Sequence, residues 1–355
     1  MLALPDGAAG PALQTTLFRP DGPGPFPLLI INHGKQSGNP KAQPRDRFIY
    51  MAAAFVRRGY AVMVPMRRGF AGSGGRYVEY GCDLAASGEA QARDVLTAIA
   101  YARRQPWIDG GHIVVAGQSY GGLATMALSG RAVPGLRGLL NFAGGLRIEG
   151  GDCDWQAGLV AAFARYGARG GAVPSLWLYG ANDSYFGPAL AARLLQAYNG
   201  AERAASAQLY AYGPFKRDAH GMLASRDGIQ VWQAPVDAFL ERIGMPTRLL
   251  YAVAEPAPPA ASHYAALDNL DAVPFLRANG REAYRSFLTR QLPRAFAVSA
   301  SGAWGWAEEG EQPEQRALLA CQSISSAPCR LYSVDDAVVW TAPASTAVAV
   351  AGAPQ

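Results

Sequence analysis

The chain has 355 residues, of which 50% are hydrophobic, 17% charged and 10% aromatic, a composition that buries a large core and excludes a wholly disordered or fibrous protein. The net charge is +5, yet only Lys35, Lys41 and Lys216 are lysine and the arginines are scattered in ones and twos, so no cationic cluster is present to displace counterions and nucleic acid is not expected as a partner. Apolar runs such as 28–31 and 52–56 fall far short of the roughly 18–20 residues of a spanning helix, and no membrane partner is expected.

Strands and helices alternate from about residue 12 to residue 244. The apolar run 27–32 ends at a glycine loop and reads as a buried strand. A helix over 48–58 is stopped by Gly59, and 60–65 is the next strand. A glycine-rich loop follows from Arg67 to Gly81. Ala92, Val95, Leu96, Ile99 and Ala102 share one helical face, and that helix ends before Pro106. Strands are expected at 112–116, 136–142, 174–179 and 207–212, and helices at 121–129, 188–198 and 227–243. This alternation predicts an α/β fold, a doubly wound, mostly parallel sheet with helices on both faces.

The composition changes after Gly244. The sequence divides into a catalytic domain over 1–245, a Pro/Ala-rich linker over 246–262, a small C-terminal α+β module over 263–342 and a fraying tail over 343–355. In the module, short helices are expected at 264–270 and 281–290. Strands at 295–299 and 304–307, a helix at 313–321 and a strand at 329–334 follow.

Gly117-Gln118-Ser119-Tyr120-Gly121 matches G-x-S-x-G. With 18 serines and 41 glycines in the chain, about 0.24 such matches arise by chance, so context must decide. The serine follows an apolar strand and precedes a small-residue helix start, where a sharp turn lifts Oγ above the sheet beside helix N–H groups. A serine hydroxyl needs a base. Four histidines compete: His112 starts the elbow strand at the far end of the sheet, His263 lies in the linker, and His33 is placed to shape a backbone turn. His220 follows the last strand, where a general base belongs. Asp183, after the 174–179 strand, is expected to orient His220; Asp152 and Asp154 on the preceding loop are its rivals, and Asp218 reads as a loop cap. The backbone N–H groups of Tyr120 and Lys35 are the expected oxyanion donors, with Gly34 turning the chain over the site. No metal or organic cofactor is expected.

On these residues the chain resembles an α/β-hydrolase over 12–244, closest in pattern to the dienelactone-hydrolase and prolyl-oligopeptidase-like branches. The resemblance rests on Asn32-His33-Gly34, Gly59-Tyr60-Ala-Val, Arg68-Gly69-Phe-Ala-Gly72-Ser73-Gly74, the elbow, Gly180-Ala-Asn-Asp183 and His220-Gly221. It implies an eight-stranded, mostly parallel sheet and hydrolysis of carboxylic esters, or of peptide bonds in some members. Dienelactone hydrolases proper carry cysteine where this chain has Ser119, which removes dienelactone itself from the expectation. Residues 294–340 resemble small disulfide-bearing modules on secreted bacterial proteins.

The expected reaction is therefore cleavage of a small-molecule ester through an acyl-enzyme. Trp155, Tyr185 and Phe186, like Tyr120, are expected on loops over the site, where aromatics either hold an acyl or aryl group or merely pack the loops. Arg67, Arg68, Arg76 and Glu79 either recognise a charged substrate end or form a solvated rim. A peptidase for short peptides is the alternative enzyme; the roughly ten residues before the first strand leave no room for the propeller of prolyl-oligopeptidase-type enzymes. A non-catalytic fold whose C-terminal module binds a partner is the alternative of another class.

The four cysteines are either thiols buried as small hydrophobes or a disulfide framework. Cys82 and Cys153 both lie on loops leaving the C-terminal edge of the sheet, and Cys321 and Cys329 flank a short polar turn. The expected bridges are Cys82–Cys153 and Cys321–Cys329. They imply a periplasmic or secreted protein made with a signal peptide absent from this chain, or a cytoplasmic one if the thiols are free.

Overall fold

Side chains alternate across the central strands and so create two apolar faces, each covered by helices. In the computed structural model, which describes residues 2–4, 11–150, 152–169, 173–200, 206–254, 259–290, 292–308 and 312–342, the chain divides into two compact units, Met1–Glu255 and Pro256–Gln355. The first runs β1 (Leu2–Leu4), β2 (Leu13–Phe18), β3 (Phe26–Asn32), α1 (Ile49–Arg57), β4 (Ala61–Pro65), α2 (Leu84–Ala102), β5 (Ile108–Gln118) and α3 (Tyr120–Met126). It continues with β6 (Leu136–Phe142), α4 (Trp155–Ala168), β7 (Ser175–Gly180), α5 (Pro188–Asn199), β8 (Ala207–Tyr212) and α6 (Gly228–Arg242).

The eight strands lie in the order β1-β2-β4-β3-β5-β6-β7-β8. From β4 through β8 neighbouring strands are parallel; β2 joins β4 antiparallel and β1 joins β2 antiparallel. Leu28 and Ile30 of β3 face the core beneath α2 to α5, while Leu29 and Ile31 face the core beneath α1 and α6. This is the α/β-hydrolase arrangement that the sequence predicts.

Three local readings are corrected. Helix α4 was not expected, although Asp154 caps it by accepting the Ala157 N–H at 3.0 Å and Leu159, Ala162, Phe163 and Tyr166 line its buried side. The expected helix at 264–270 is absent: Asn269 accepts the Ala272 N–H and starts only the single 3-10 turn Leu270–Ala272. The start of the expected linker is strapped to the first unit, because the Arg57 carbonyl accepts the Leu250 and Tyr251 N–H groups and the Arg57 guanidinium donates to the Val253 carbonyl.

The second unit contains α7 (Ala278–Phe287), three residues earlier than the expected 281–290 helix, then β9 (Arg294–Ser299), β10 (Trp304–Glu308), α8 (Pro313–Gln322), β11 (Cys329–Val334) and β12 (Ala337–Val338). Its four strands form an antiparallel sheet in the order β10-β9-β11-β12. Two cysteine pairs stand at disulfide distance: Cys82 with Cys153, S–S 2.09 Å, and Cys321 with Cys329, S–S 1.97 Å. The tail at 343–355 lies outside the described residues. Among the described residues no helix is long and apolar enough to cross a membrane.

Candidate active site

Parallel register brings the C-terminal ends of the strands to one edge: Asn32 pairs with Gly117, Gln118 with Phe142, and Gly180 with Tyr212. The candidate residues sit on the loops leaving this edge. Ser119 joins β5 to α3 at φ 53°, ψ −124°, a conformation that a residue with a side chain adopts only when its surroundings enforce it. Here Ser119 N–H donates to Phe142 O at 3.0 Å, and its carbonyl accepts from Gly145 N–H at 3.0 Å and Leu123 N–H at 3.1 Å. The glycines of the motif permit the turn. A Cβ on Gly121 would stand 2.1 Å from Asn32 O, and one on Gly117 2.2 Å from Gly121 O.

His220 lies in a 3-10 turn after β8, with Nδ1 3.1 Å from Asp183 Oδ2. The other Asp183 oxygen accepts the Tyr185 and Phe186 N–H groups at 2.9 and 2.8 Å. Burial pulls the Asp183 carboxyl upward, but the hydrogen bond and charge of His220, followed by those two N–H groups, outweigh it and hold the group below its usual value. The Tyr185 ring lies 4.4 Å and the Phe186 ring 5.6 Å from the imidazole, centroid to centroid, so the imidazole lies against aromatic surface.

The carboxylate at the His220 imidazole is Asp183; two of the others serve backbone N–H groups. Asp154 caps α4, and Asp218 accepts the Ser184 and His220 N–H groups. Of the other histidines, His112 pairs with Asp109 at 2.7 Å in the first half of β5, and His263 is an exposed residue of the second unit.

His33 is fully buried. Its Nε2 accepts the Arg67 N–H at 3.0 Å, so Nδ1 carries the proton and donates to Gly34 O at 2.7 Å. Burial first, then the Arg67 charge, push its pKa well below the usual 6.5, with the Gly34 hydrogen bond opposing them. A Cβ on Gly34 would stand 3.3 Å from Ser119 Cβ, which brings this loop directly against the serine. Among the described residues neither the Lys35 N–H nor the Tyr120 N–H has an acceptor.

Ser119 and Tyr120 border a pocket of about 240 Å³. The rest of its lining is 35–38, Glu79, 146–149, Tyr185 and Phe186. Tyr185 and Phe186 thus both line the pocket. Tyr120 and Trp155 open α3 and α4 rather than lying on loops, and Trp155 packs on Phe186 at 6.2 Å without bordering the pocket. Arg67 cannot meet a substrate from the rim: it is fully buried, donates to Gln91 Oε1 at 2.8 Å and is pushed down to about 10, by burial above all. Arg68 is bound to Asp94, and only Glu79 of that group borders the pocket. The sequence reading missed the 146–149 wall, which follows β6 at the expected edge, and the bond from Gln118 Nε2 to His220 O at 2.7 Å.

Residues 6–211 match the X-Pro dipeptidyl-peptidase (S15 family). Cocaine esterase of Rhodococcus sp. (strain MB1 Bresler) is 32% identical over 138 residues, 37% of this chain and 21% of that protein, so the match spans about a fifth of the relative's length. Esterase 2 of Thermogutta terrifontis, in a form phosphonylated by cyclosarin, superposes with a TM-score of 0.50 at 14% identity, over 70% of this chain and 96% of that one. Est1E of Butyrivibrio proteoclasticus, with ferulic acid bound, covers 68% of this chain and 100% of its own at 17% identity and a TM-score of 0.49. Fold and family match agree: the chain belongs to the X-Pro dipeptidyl-peptidase (S15) family of the α/β-hydrolase superfamily.

Proposed function

We propose that the first unit hydrolyses carboxylic esters of small molecules by acylation and deacylation at Ser119. The observation that carries this reading is one constellation: a serine held at positive φ, with the Gly34 loop against it and an Asp183–His220 pair on the same sheet edge. Ser119 Oγ attacks the carbonyl carbon while His220 Nε2 takes its proton, and the carbonyl oxygen becomes an oxyanion bound by the Lys35 and Tyr120 N–H groups. The intermediate collapses with loss of the alcohol, which leaves with the proton from His220. Water then attacks the acyl-enzyme by the same steps in reverse, releasing the acid and restoring Ser119. Asp183 holds His220 in the tautomer that accepts at Nε2 and stabilises the imidazolium that forms.

The ester reading is supported by the relative named as an esterase. A second reading, cleavage of short peptides, is supported by the description of the family. A panel of p-nitrophenyl esters beside Xaa-Pro p-nitroanilides separates them: we expect turnover of the esters and labelling of Ser119 by a fluorophosphonate. Turnover of the anilides alone would transfer the site to peptides. Two cysteine pairs at disulfide distance support a periplasmic or secreted location. Four free thiols in a non-reducing peptide map of the protein from its native cells would contradict it.

A further inference from the structure

We propose that Gln118 and Asp218 form a two-sided clamp on the backbone of His220 and so set the distance between the base and Ser119; this inference rests on the reading of the site given above. Gln118 is the residue immediately before the serine. Its amide donates to the His220 carbonyl at 2.7 Å, tying the base to the strand end that carries the nucleophile. On the other side, the His220 N–H donates to Asp218 Oδ1 at 2.9 Å. The same carboxylate accepts the Ser184 N–H at 3.1 Å and the Ser184 hydroxyl at 2.5 Å, and Ser184 is the neighbour of Asp183.

These bonds close a ring on His220 and tether it to Ser119. The ring runs from His220 N to Asp218, from Asp218 to Ser184, and from Asp183 back to the imidazole of His220; Gln118 ties His220 O to the residue before Ser119. Three loops, after β5, β7 and β8, are thus fixed to one another through the backbone of one residue. Asp218 is buried, so its three bonds are screened from competing water. Neither side chain bonds the imidazole; both act through the peptide groups of His220 and are positioning residues. A side chain cantilevered from a short 3-10 turn moves with that turn, and a misplacement of about 1 Å in a reacting group costs on the order of 10²-fold in rate.

The test measures kcat and KM for p-nitrophenyl acetate, the rate of fluorophosphonate labelling and thermal melting for Gln118→Ala, Asp218→Ala and Asp218→Asn. Gln118→Ala should lose about 10- to 100-fold in kcat and in labelling rate, with KM within about threefold and the fold intact. Asp218→Ala should fall similarly. Asp218→Asn keeps an oxygen for the two N–H groups and should recover most of that loss. A Gln118→Ala enzyme with wild-type kcat would overturn the clamp. So would Asp218→Asn falling as far as Asp218→Ala, which would make the charge of Asp218 its contribution; these two variants decide the matter even where Asp218→Ala fails to fold. Ser119→Ala is the control that separates the levels: retained turnover there sinks the site itself, whereas an inactive Ser119→Ala beside an unaffected Gln118→Ala sinks only the clamp.

Discussion

His33 Nδ1 and Gly34 O are 2.7 Å apart, and this short bond orients more than a carbonyl. The Gly34–Lys35 peptide is planar and trans, so fixing its oxygen toward His33 turns the Lys35 N–H the opposite way. Lys35→Pro, which deletes that N–H, should lower kcat by about 10²–10³ or more, the usual cost of one oxyanion donor. Lys35→Ala keeps the N–H and should lose far less. Equal losses in steady-state assays of the two would show that the ammonium, not the peptide, is what matters at this position.

The serine and its base should behave as one unit. Ser119→Ala is expected to lose a factor approaching ~10⁶ in kcat, and His220→Ala nearly as much. His112→Ala should leave kcat unchanged, because that ring is occupied with Asp109 in the first half of β5, away from the strand end that carries Ser119. Steady-state turnover of p-nitrophenyl acetate checks all three.

Asp183 and Asp154 make contrasting predictions. Asp183→Asn should cost about 10⁴ in kcat by favouring the wrong tautomer of His220. Asp154→Asn exchanges one good helix cap for another and should change neither rate nor stability appreciably. A kinetic defect at Asp154 would return the acid to the loop after β6.

Acid should weaken the fold in two steps. The unfolded chain takes up a proton at His33 near its usual 6.5, which the folded chain resists, so this contribution is full above about pH 6.5 and shrinks as the pH falls below it. Asp183, depressed in the folded state from its usual 3.8, contributes fully above that value and is lost below it. Urea midpoints should therefore fall between about pH 7.5 and pH 5 and again below about pH 4. His33→Gln should flatten the upper step; an equally steep decline in that variant would assign the step to another group.

What was legible in the sequence follows from how local each signal is. The elbow, the apolar strands and the Asp-then-His order each occupy a few adjacent residues, and strand ends in a parallel sheet converge without further instruction. Helix α4 was missed because Gly158 and Gly167 interrupt its apolar face. Those glycines answer to tertiary neighbours: a Cβ would stand 3.0 Å from Cys82 O at Gly158 and 1.8 Å from Tyr198 O at Gly167. The cap at Asp154 and the spacing of Leu159, Ala162, Phe163 and Tyr166 were the signals available. Arg67 looked like a surface cation because nothing in the sequence near it announces Gln91, 24 positions away, as its partner. The clamp on His220 joins residues 102 positions apart, a relationship that exists only once the sheet is built.

Removing the Cys82–Cys153 bridge should lower stability by about 2–4 kcal/mol. Urea melts of the Cys82→Ala/Cys153→Ala double variant, beside wild type with and without reductant, measure it. A non-reducing map should yield a peptide joining the two cysteines, and one joining either to Cys321 or Cys329 would refute the pairing.

The same bridge has a consequence for binding. Cys82 and Cys153 each directly precede an aspartate that starts a helix, Asp83 for α2 and Asp154 for α4. Glu79 lies three residues before the first cysteine and Glu149 four before the second, and both border the pocket. Two stretches of the pocket lining therefore lead into a single covalent link between two helix starts. A mouth ordered in advance has little left to freeze when a ligand arrives. Severing the link would then be felt as a softer grip on substrate, a rise in KM, before any change in the speed of bond breaking.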